Sequence, residues 1–110
     1  MNEQQGTMIL DGCGRIRGCG TAAGGLFGGN FSDFAGKPIS SLIGALEVSD
    51  AARNFGARRL AYLSSREGWH RYDAVDLHGQ GFPVELTMSL MQTQDGHDLF
   101  LVKLRRPQTD

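Results

Sequence analysis

The sequence contains few cysteines and prolines, and it has no excess of charge of either sign. Of its 110 residues two are cysteine and three are proline, and the formal net charge is −1. One possible disulfide in a chain of this length does not make a disulfide-stapled scaffold. Cys13 and Cys19 also lack the CxxC spacing and the four ligands that are typical of a zinc site. We therefore expect no disulfide framework and no metal centre.

Basic clusters and long apolar segments are also absent from the sequence. The 11 Lys and Arg residues are dispersed, whereas a nucleic-acid-binding face concentrates them. No apolar run approaches the roughly 20 residues that span a bilayer. Residues 1–5 have neither the basic segment nor the apolar core of a signal peptide. We expect a cytoplasmic protein that neither binds nucleic acid nor inserts into a membrane.

The composition that remains is that of a folded domain with many glycines. Apolar residues make up 40% and charged residues 21% of the chain, and its length suits one domain. Many of the 16 glycines lie between Gly6 and Gly36, among apolar residues, which indicates a turn-rich folded segment. We predict an N-terminal tail over residues 1–5 and one domain over residues 6–106. Residues 107–110 are predicted to form a tail or the start of a linker in a longer protein.

The first part of the chain predicts a β-hairpin. Residues 8–10 are apolar and residues 15–19 alternate between polar and apolar, as short strands do. The segment Asp11-Gly12-Cys13-Gly14 between them is a strong turn signal.

Short helices are predicted after this hairpin. Thr21 can cap a helix that ends at Gly28, because glycine accepts the left-handed conformation common after a helix C-terminus. Ser32 or Asp33 begins a second helical turn, and Pro38 opens a third. Helices this short depend on packing for their stability.

One longer helix and three strands are predicted for the rest of the chain. Residues 51–63 favour a helix with an apolar face. Residues 69–77 and 82–93 predict strands, and the second of these alternates cleanly between apolar and polar residues. Residues 99–102 are apolar on both faces. The order indicates an α+β fold in which the hairpin and a three-stranded meander share one sheet, with the helices on one face.

A strand that is apolar on both faces must be covered on both faces. One face of residues 99–102 meets the core, and the other needs a flanking helix or a partner subunit; we predict a second copy of the chain. The homodimer interface then contains Leu99 and Leu101 or, alternatively, Phe100 and Val102. The predicted interior consists of Ile9, Ile16, Leu26, Phe27, Phe34, Ile39, Leu42, Phe55, Val84, Leu86, Met88 and Leu90.

Four local strings, in order along nearly the whole chain, resemble the PAS family of sensory domains. They are Asp-x-x-Gly-x-Ile at 11–16, Ala-Ala-x-x-Leu-Phe-Gly at 22–28, Asp-Phe-x-Gly-Lys at 33–37 and Gly-x-x-Phe-Pro-Val-Glu-Leu at 79–86. The sequence departs from the family pattern at Gly20, where Asn is frequent.

The resemblance implies a five-stranded antiparallel sheet flanked on one face by several short helices and one longer helix. It also implies a sensory and regulatory role, in which the domain detects a small ligand or a redox cue, dimerises, and signals to an output domain. Histidine kinases and cyclic-dinucleotide enzymes are typical output domains. No order or spacing of residues in the chain suggests a catalytic triad, so we expect the domain itself not to be an enzyme.

A ligand pocket is expected between the longer helix and the last three strands. The residues predicted to line it are Phe55, Leu63, Trp69, Tyr72, Leu86 and Val102. For Trp69 and Tyr72 the alternative is core or interface packing. The sequence requires no cofactor; an alternative function is a flavin- or haem-binding redox or gas sensor. Flavin is favoured, because residues 51–63 contain no histidine to ligate haem and His70 lies beyond them.

Overall fold

The computed structural model describes residues 5–46, 65 and 68–107. Within them the strands are β1 (Gly6–Asp11), β2 (Ile16–Cys19), β3 (His70–Val75), β4 (Gly81–Gln92) and β5 (Asp98–Arg105). The helices are α1 (Thr21–Phe27) and α2 (Phe31–Phe34), followed by the 3₁₀ turns Ile39–Ser41 and Gly44–Leu46. The helix predicted over residues 51–63 lies outside the described residues.

The strands form one antiparallel sheet in the order β2-β1-β5-β4-β3. Strand β5 is central: Val102 lies opposite Met8 of β1 on one side and opposite Met88 of β4 on the other. The predicted α+β class, with hairpin and meander in a single sheet, is confirmed.

Three hairpin turns, at residues 11–15, 76–80 and 93–97, share one backbone geometry. In each, the first residue donates its N–H to the carbonyl of the fifth and accepts the N–H of the fourth, all at 3.0 Å. The fourth residue is glycine every time, with φ of 82° or 83°, a conformation that costs glycine little because it has no Cβ. The sequence predicts the first turn at residues 11–14, and the predicted strands leave residues 78–81 and 94–98 between them for the other two.

Helix α1 begins one residue earlier than predicted. Gly20, rather than Thr21, is the N-cap: it is extended, with φ −71° and ψ 162°, and its carbonyl accepts the N–H of Gly24 at 3.0 Å. The N-cap is fixed by β1, because the Gly20 N–H donates to the Thr7 carbonyl at 2.8 Å. At the other end Gly28 adopts φ 80°, as predicted.

Helix α2 also begins before the predicted residue. Asn30 is the N-cap, and Asp33 lies in the first turn, where its Oδ2 accepts the Asn30 N–H at 2.8 Å. A carboxylate three residues after the cap supplies an acceptor for a backbone N–H that the helix leaves without a partner. No helix in the described part of the chain is long and apolar enough to cross a membrane.

The core lies between the sheet and the short helices. Phe27 packs against Phe34 and Phe82, with ring centroids 6.2 and 5.4 Å apart. The buried apolar residues are Met8, Leu10, Ile16, Ala23, Leu26, Phe27, Phe34, Ile39, Leu42, Ile43, Leu46, Ala74, Val84, Leu86, Met88, Phe100, Val102 and Leu104.

Two residues of the predicted interior are not in this core. Ile9 is half-buried on the opposite face of the sheet, because its neighbours Met8 and Leu10 point inward and side chains alternate along a strand. Leu90 has the inward position on β4 but is 44% exposed. The predicted core residue Phe55 lies outside the residues that the structure describes.

We expect two neighbouring glycines of α1 to respond oppositely to alanine. A methyl group at Gly24 would collide with the carbonyl oxygen of Gly29, whereas one at Gly25 meets no atom within 4 Å. Gly24→Ala should lower the free energy of unfolding by about 1–3 kcal/mol through overpacking. Gly25→Ala should raise it by up to about 1 kcal/mol through helix propensity. Urea unfolding measures both, and a Gly24→Ala variant as stable as Gly25→Ala would contradict this packing.

Asp76 stabilises the turn between β3 and β4 with its carboxylate. Its Oδ1 accepts the N–H of Gln80 at 2.9 Å and the N–H of His78 at 2.8 Å. The hydrogen bond from Gln80 is the main reason that the pKa of Asp76 lies below its ordinary value. Such a carboxyl group stabilises the fold above its unfolded pKa of about 3.9, and this contribution is lost as the pH falls through the lower folded pKa.

Asp76→Asn keeps an oxygen acceptor but removes the charge. We therefore expect the variant to be less stable than the wild type at pH 6, and the difference in unfolding free energy to shrink as the pH falls below about 4. Urea unfolding at a series of pH values measures this. Asp73→Asn, on the same hairpin, controls for the loss of one negative charge, and a difference independent of pH would contradict the role of the carboxylate.

Candidate functional site

Three of the predicted pocket residues lie on the helix-side face of the sheet. Leu86 on β4 and Val102 on β5 are buried, 3% and 0% exposed. Tyr72 on β3 is half-buried, lies opposite Val84 and packs against the core. Other parts of the chain cover Leu86 and Val102, and the Tyr72 hydroxyl supplies a hydrogen-bonding group on this face. Phe55 and Leu63, predicted for the opposite wall, are outside the described residues.

The structure does not bring Trp69 together with these residues. Its ring packs against the Arg105 guanidinium, whose Cζ is 3.9 Å from the ring centroid. Arg105 alternates with the inward-facing Leu104, so it belongs to the outer face of the sheet, away from the helices. The described contact of Trp69 is with Arg105, and its assignment to pocket or packing stays a prediction.

Leu99 and Leu101, the predicted dimer residues, lie on this outer face and are half-buried. The alternative pair, Phe100 and Val102, is fully buried in the core, 0% exposed. Leu101 lies opposite Ile9 of β1, and Leu99 lies opposite Met91 of β4. We call Ile9, Met91, Leu99 and Leu101 the outer apolar cluster.

The sequence interpretation missed Ile9 and Met91 as members of this cluster. Ile9 stands in the apolar run of residues 8–10, so apolarity alone does not tell which of the three faces outward. Met91 occupies an outward position of β4, and the alternation of apolar and polar residues along that strand predicts a polar residue there. Polar side chains, among them Thr7, Thr87 and Lys103, fill the next row of the outer face.

A surface cleft of about 640 Å³ lies between the turn that joins β1 to β2 and the turn that joins β4 to β5. Its lining residues are Asp11, Gly12, Cys13, Arg17, Thr93, Asp95, Gly96, His97, Asp98 and Leu99. This cleft is not the cavity predicted from the sequence.

Two carboxylates of this cleft accept hydrogen bonds from neighbouring groups. Asp11 accepts the N–H groups of Cys13 and Arg15 and pairs with Arg17 at 2.9 Å. Asp98 accepts the side-chain N–H of Gln92 at 3.3 Å. Among the residues that the structure describes, no three His, Cys, Asp or Glu side chains are grouped so that they could hold a metal ion.

The two cysteines occupy different environments. Cys13 is exposed in the first turn, and Cys19 is half-buried at the end of β2; both are free thiols. Burial raises the pKa of the Cys19 thiol, so less of it is thiolate at neutral pH. Neither residue lies among the predicted pocket side chains of β3, β4 and β5.

The fold is similar to several solved structures. One is the PAS domain of nitrogen regulation protein NR(II) from Vibrio parahaemolyticus, with a TM-score of 0.67, 25% identity, and coverage of 96% of this chain and 92% of that one. A PAS domain from a two-component sensor histidine kinase has a TM-score of 0.74, 10% identity and coverage of 96% and 87%. The PAS domain of an HTR-like protein from Haloarcula marismortui has a TM-score of 0.72, 19% identity and coverage of 94% and 82%.

No protein-family model matches the sequence, and no curated protein matches it. The likeness therefore rests on the arrangement of the chain in space. The strand order, the helices on one face and the agreement over more than nine-tenths of this chain with each of these three structures show that it has the fold of PAS domains. The resemblance of the four sequence strings to that family is confirmed at the level of the fold.

Proposed function

We propose that this chain is a sensory and dimerisation module of a larger signalling protein, without catalysis of its own. It detects a small ligand or a redox cue and passes the signal to an output domain such as a histidine kinase or a cyclic-dinucleotide enzyme. The observation that carries the proposal is a sheet whose helix-side face is apolar and buried and whose outer face carries a half-buried apolar cluster. The likeness to PAS domains of a sensor histidine kinase and of a nitrogen regulation protein supports it.

The ligand in this proposal binds against the helix-side face of β3, β4 and β5. Tyr72, Leu86 and Val102 form one wall, and Phe55 and Leu63 are proposed for the other. A slot that is mostly aliphatic, with one hydroxyl to orient its occupant, suits a small and largely apolar molecule.

A flavin- or haem-binding sensor is the second candidate. Flavin remains favoured, because a planar ring system needs mainly an apolar slot with a few polar groups. Haem needs an axial ligand. The histidine that would supply it in this proposal is His70, the first residue of β3. The two free thiols suit a reducing compartment, and we propose that the domain works in the cytoplasm.

The dimer in this proposal forms through the outer apolar cluster. Its four side chains come from three neighbouring strands, so they form one continuous patch across β1, β5 and β4. A second copy that packs its own cluster against this patch removes the apolar surface of both from water, at about 25 cal/mol per Å². A contact of the same patch with itself has the geometry of a two-fold dimer.

We expect the wild-type protein to sediment as a dimer at about 100 µM, and Leu101→Glu to sediment as a monomer because its carboxylate would be buried unpaired in the interface. Thr7→Glu is the matched control, since Thr7 is exposed on the same face but beyond the cluster. It should remain dimeric. A wild-type monomer at this concentration, or a dimer that survives Leu101→Glu, would rule out this interface.

The absorption spectrum of the purified protein separates the two functional candidates. We expect no visible band, and none after incubation with FMN or haemin followed by gel filtration, because the proposed ligand is colourless. A retained flavin or haem band would instead establish the second candidate. In that case Tyr72→Phe and His70→Ala should weaken retention if the cofactor lies against β3, whereas the exposed His97→Ala should not.

A further inference from the structure

The last residue of the central strand is held by two side chains on the outer face. Arg105 Nε donates to Glu85 Oε1 at 2.9 Å, and the Arg105 guanidinium lies over the Trp69 ring at 3.9 Å. The Arg105 and Glu85 side chains are only 22% and 23% exposed. A planar guanidinium can make both contacts at once, with its edge donating to the carboxylate and its face stacking on the ring.

The contact between Trp69 and Arg105 joins parts of the sheet that do not pair with each other. Trp69 comes directly before β3, and β3 is separated from β5 by β4. Glu85 lies in between, opposite Arg71 on one side and opposite Arg105 on the other. Trp69, at the entry to β3, is therefore in direct contact with Arg105, at the exit from β5.

The next residue contacts the other face of the sheet. Arg106 Cζ lies 5.2 Å from the centroid of Phe82, and Phe82 packs against Phe27 of α1. Two successive arginines thus contact opposite faces of the same sheet. Arg106 is exposed and its contact is longer, so Arg105 makes the stronger attachment.

We propose that Trp69, Glu85 and Arg105 form a latch that fixes the direction in which the chain leaves the sheet. A displacement of Trp69 away from Arg105 would release the last residues of β5. The inference rests on the proposed sensory function, in which a signal from the ligand wall must reach an attached output domain. Leu104 lies opposite Gly6, so the start of β1 lies beside the end of β5.

The stacking contact can be tested by fluorescence, because Trp69 is the single tryptophan of the chain. We expect Arg105→Ala to raise the acrylamide quenching constant of Trp69 about two-fold, since the guanidinium covers one face of the ring. Arg105→Lys should have nearly the same effect, because an ammonium group does not cover the ring as a planar guanidinium does. Arg106→Ala, which removes the same charge on the opposite face, should leave quenching unchanged; equal effects of the two alanine variants would overturn the contact.

The coupling itself can be tested by hydrogen exchange. Trp69→Leu should accelerate exchange of the backbone amides of residues 103–106 about ten-fold, and leave residues 99–101 of the same strand unchanged. Because coupling is reciprocal, Arg105→Ala should accelerate exchange at residues 70–71. Acceleration along the whole of β5, or none at its end, would overturn the latch.

Neither measurement needs a ligand, a dimer or an output domain. A failed latch therefore leaves the sensory proposal standing, while a monomeric protein would count against the proposed dimer without affecting the latch. The two proposals can be rejected separately.

Discussion

Strand β5 pairs with β1 on one side and with β4 on the other, and the arrangement of every other element depends on these two sets of hydrogen bonds. A shift of one residue in either pairing would exchange the inward and outward side chains of β5. Phe100, Val102 and Leu104 would then leave the core. Because β5 is the last and β1 the first of the described strands, the sheet depends on contacts that are distant in sequence, which slow folding relative to local ones.

The alternation of β5 also separates the two proposed activities. Its inward residues belong to the wall where a ligand would bind, and its outward residues belong to the outer apolar cluster and the latch. The same backbone therefore carries both surfaces, so a displacement of β5 would move the proposed ligand wall and the proposed interface together.

Much of this arrangement was predictable from the sequence. The turns at residues 11–15, 76–80 and 93–97 carry glycine where a positive φ is needed, and the alternation of β4 marks its inward face. The helix caps at Gly20 and Asn30 were missed because each depends on its surroundings: Gly20 is held by β1, and Asn30 by the carboxylate of Asp33.

The sites were less predictable, because they depend on which face a residue takes. Ile9 stands between two apolar neighbours, and only its pairing with Leu101 shows that it faces outward. Trp69 precedes its strand, so alternation did not assign it. The Glu85–Arg105 pair could have been found: a turn centred on Asp95 places these two residues opposite each other, and their charges are opposite.

The pairing of Gly6 with Leu104 has a consequence for protein architecture. A domain whose first and last strands begin and end side by side can be inserted into a loop of another protein with little change in the distance between the flanking segments. Copies can also follow one another in a chain with short connections. Gain or loss of such a unit changes what a host protein responds to while the spacing of its other parts is kept.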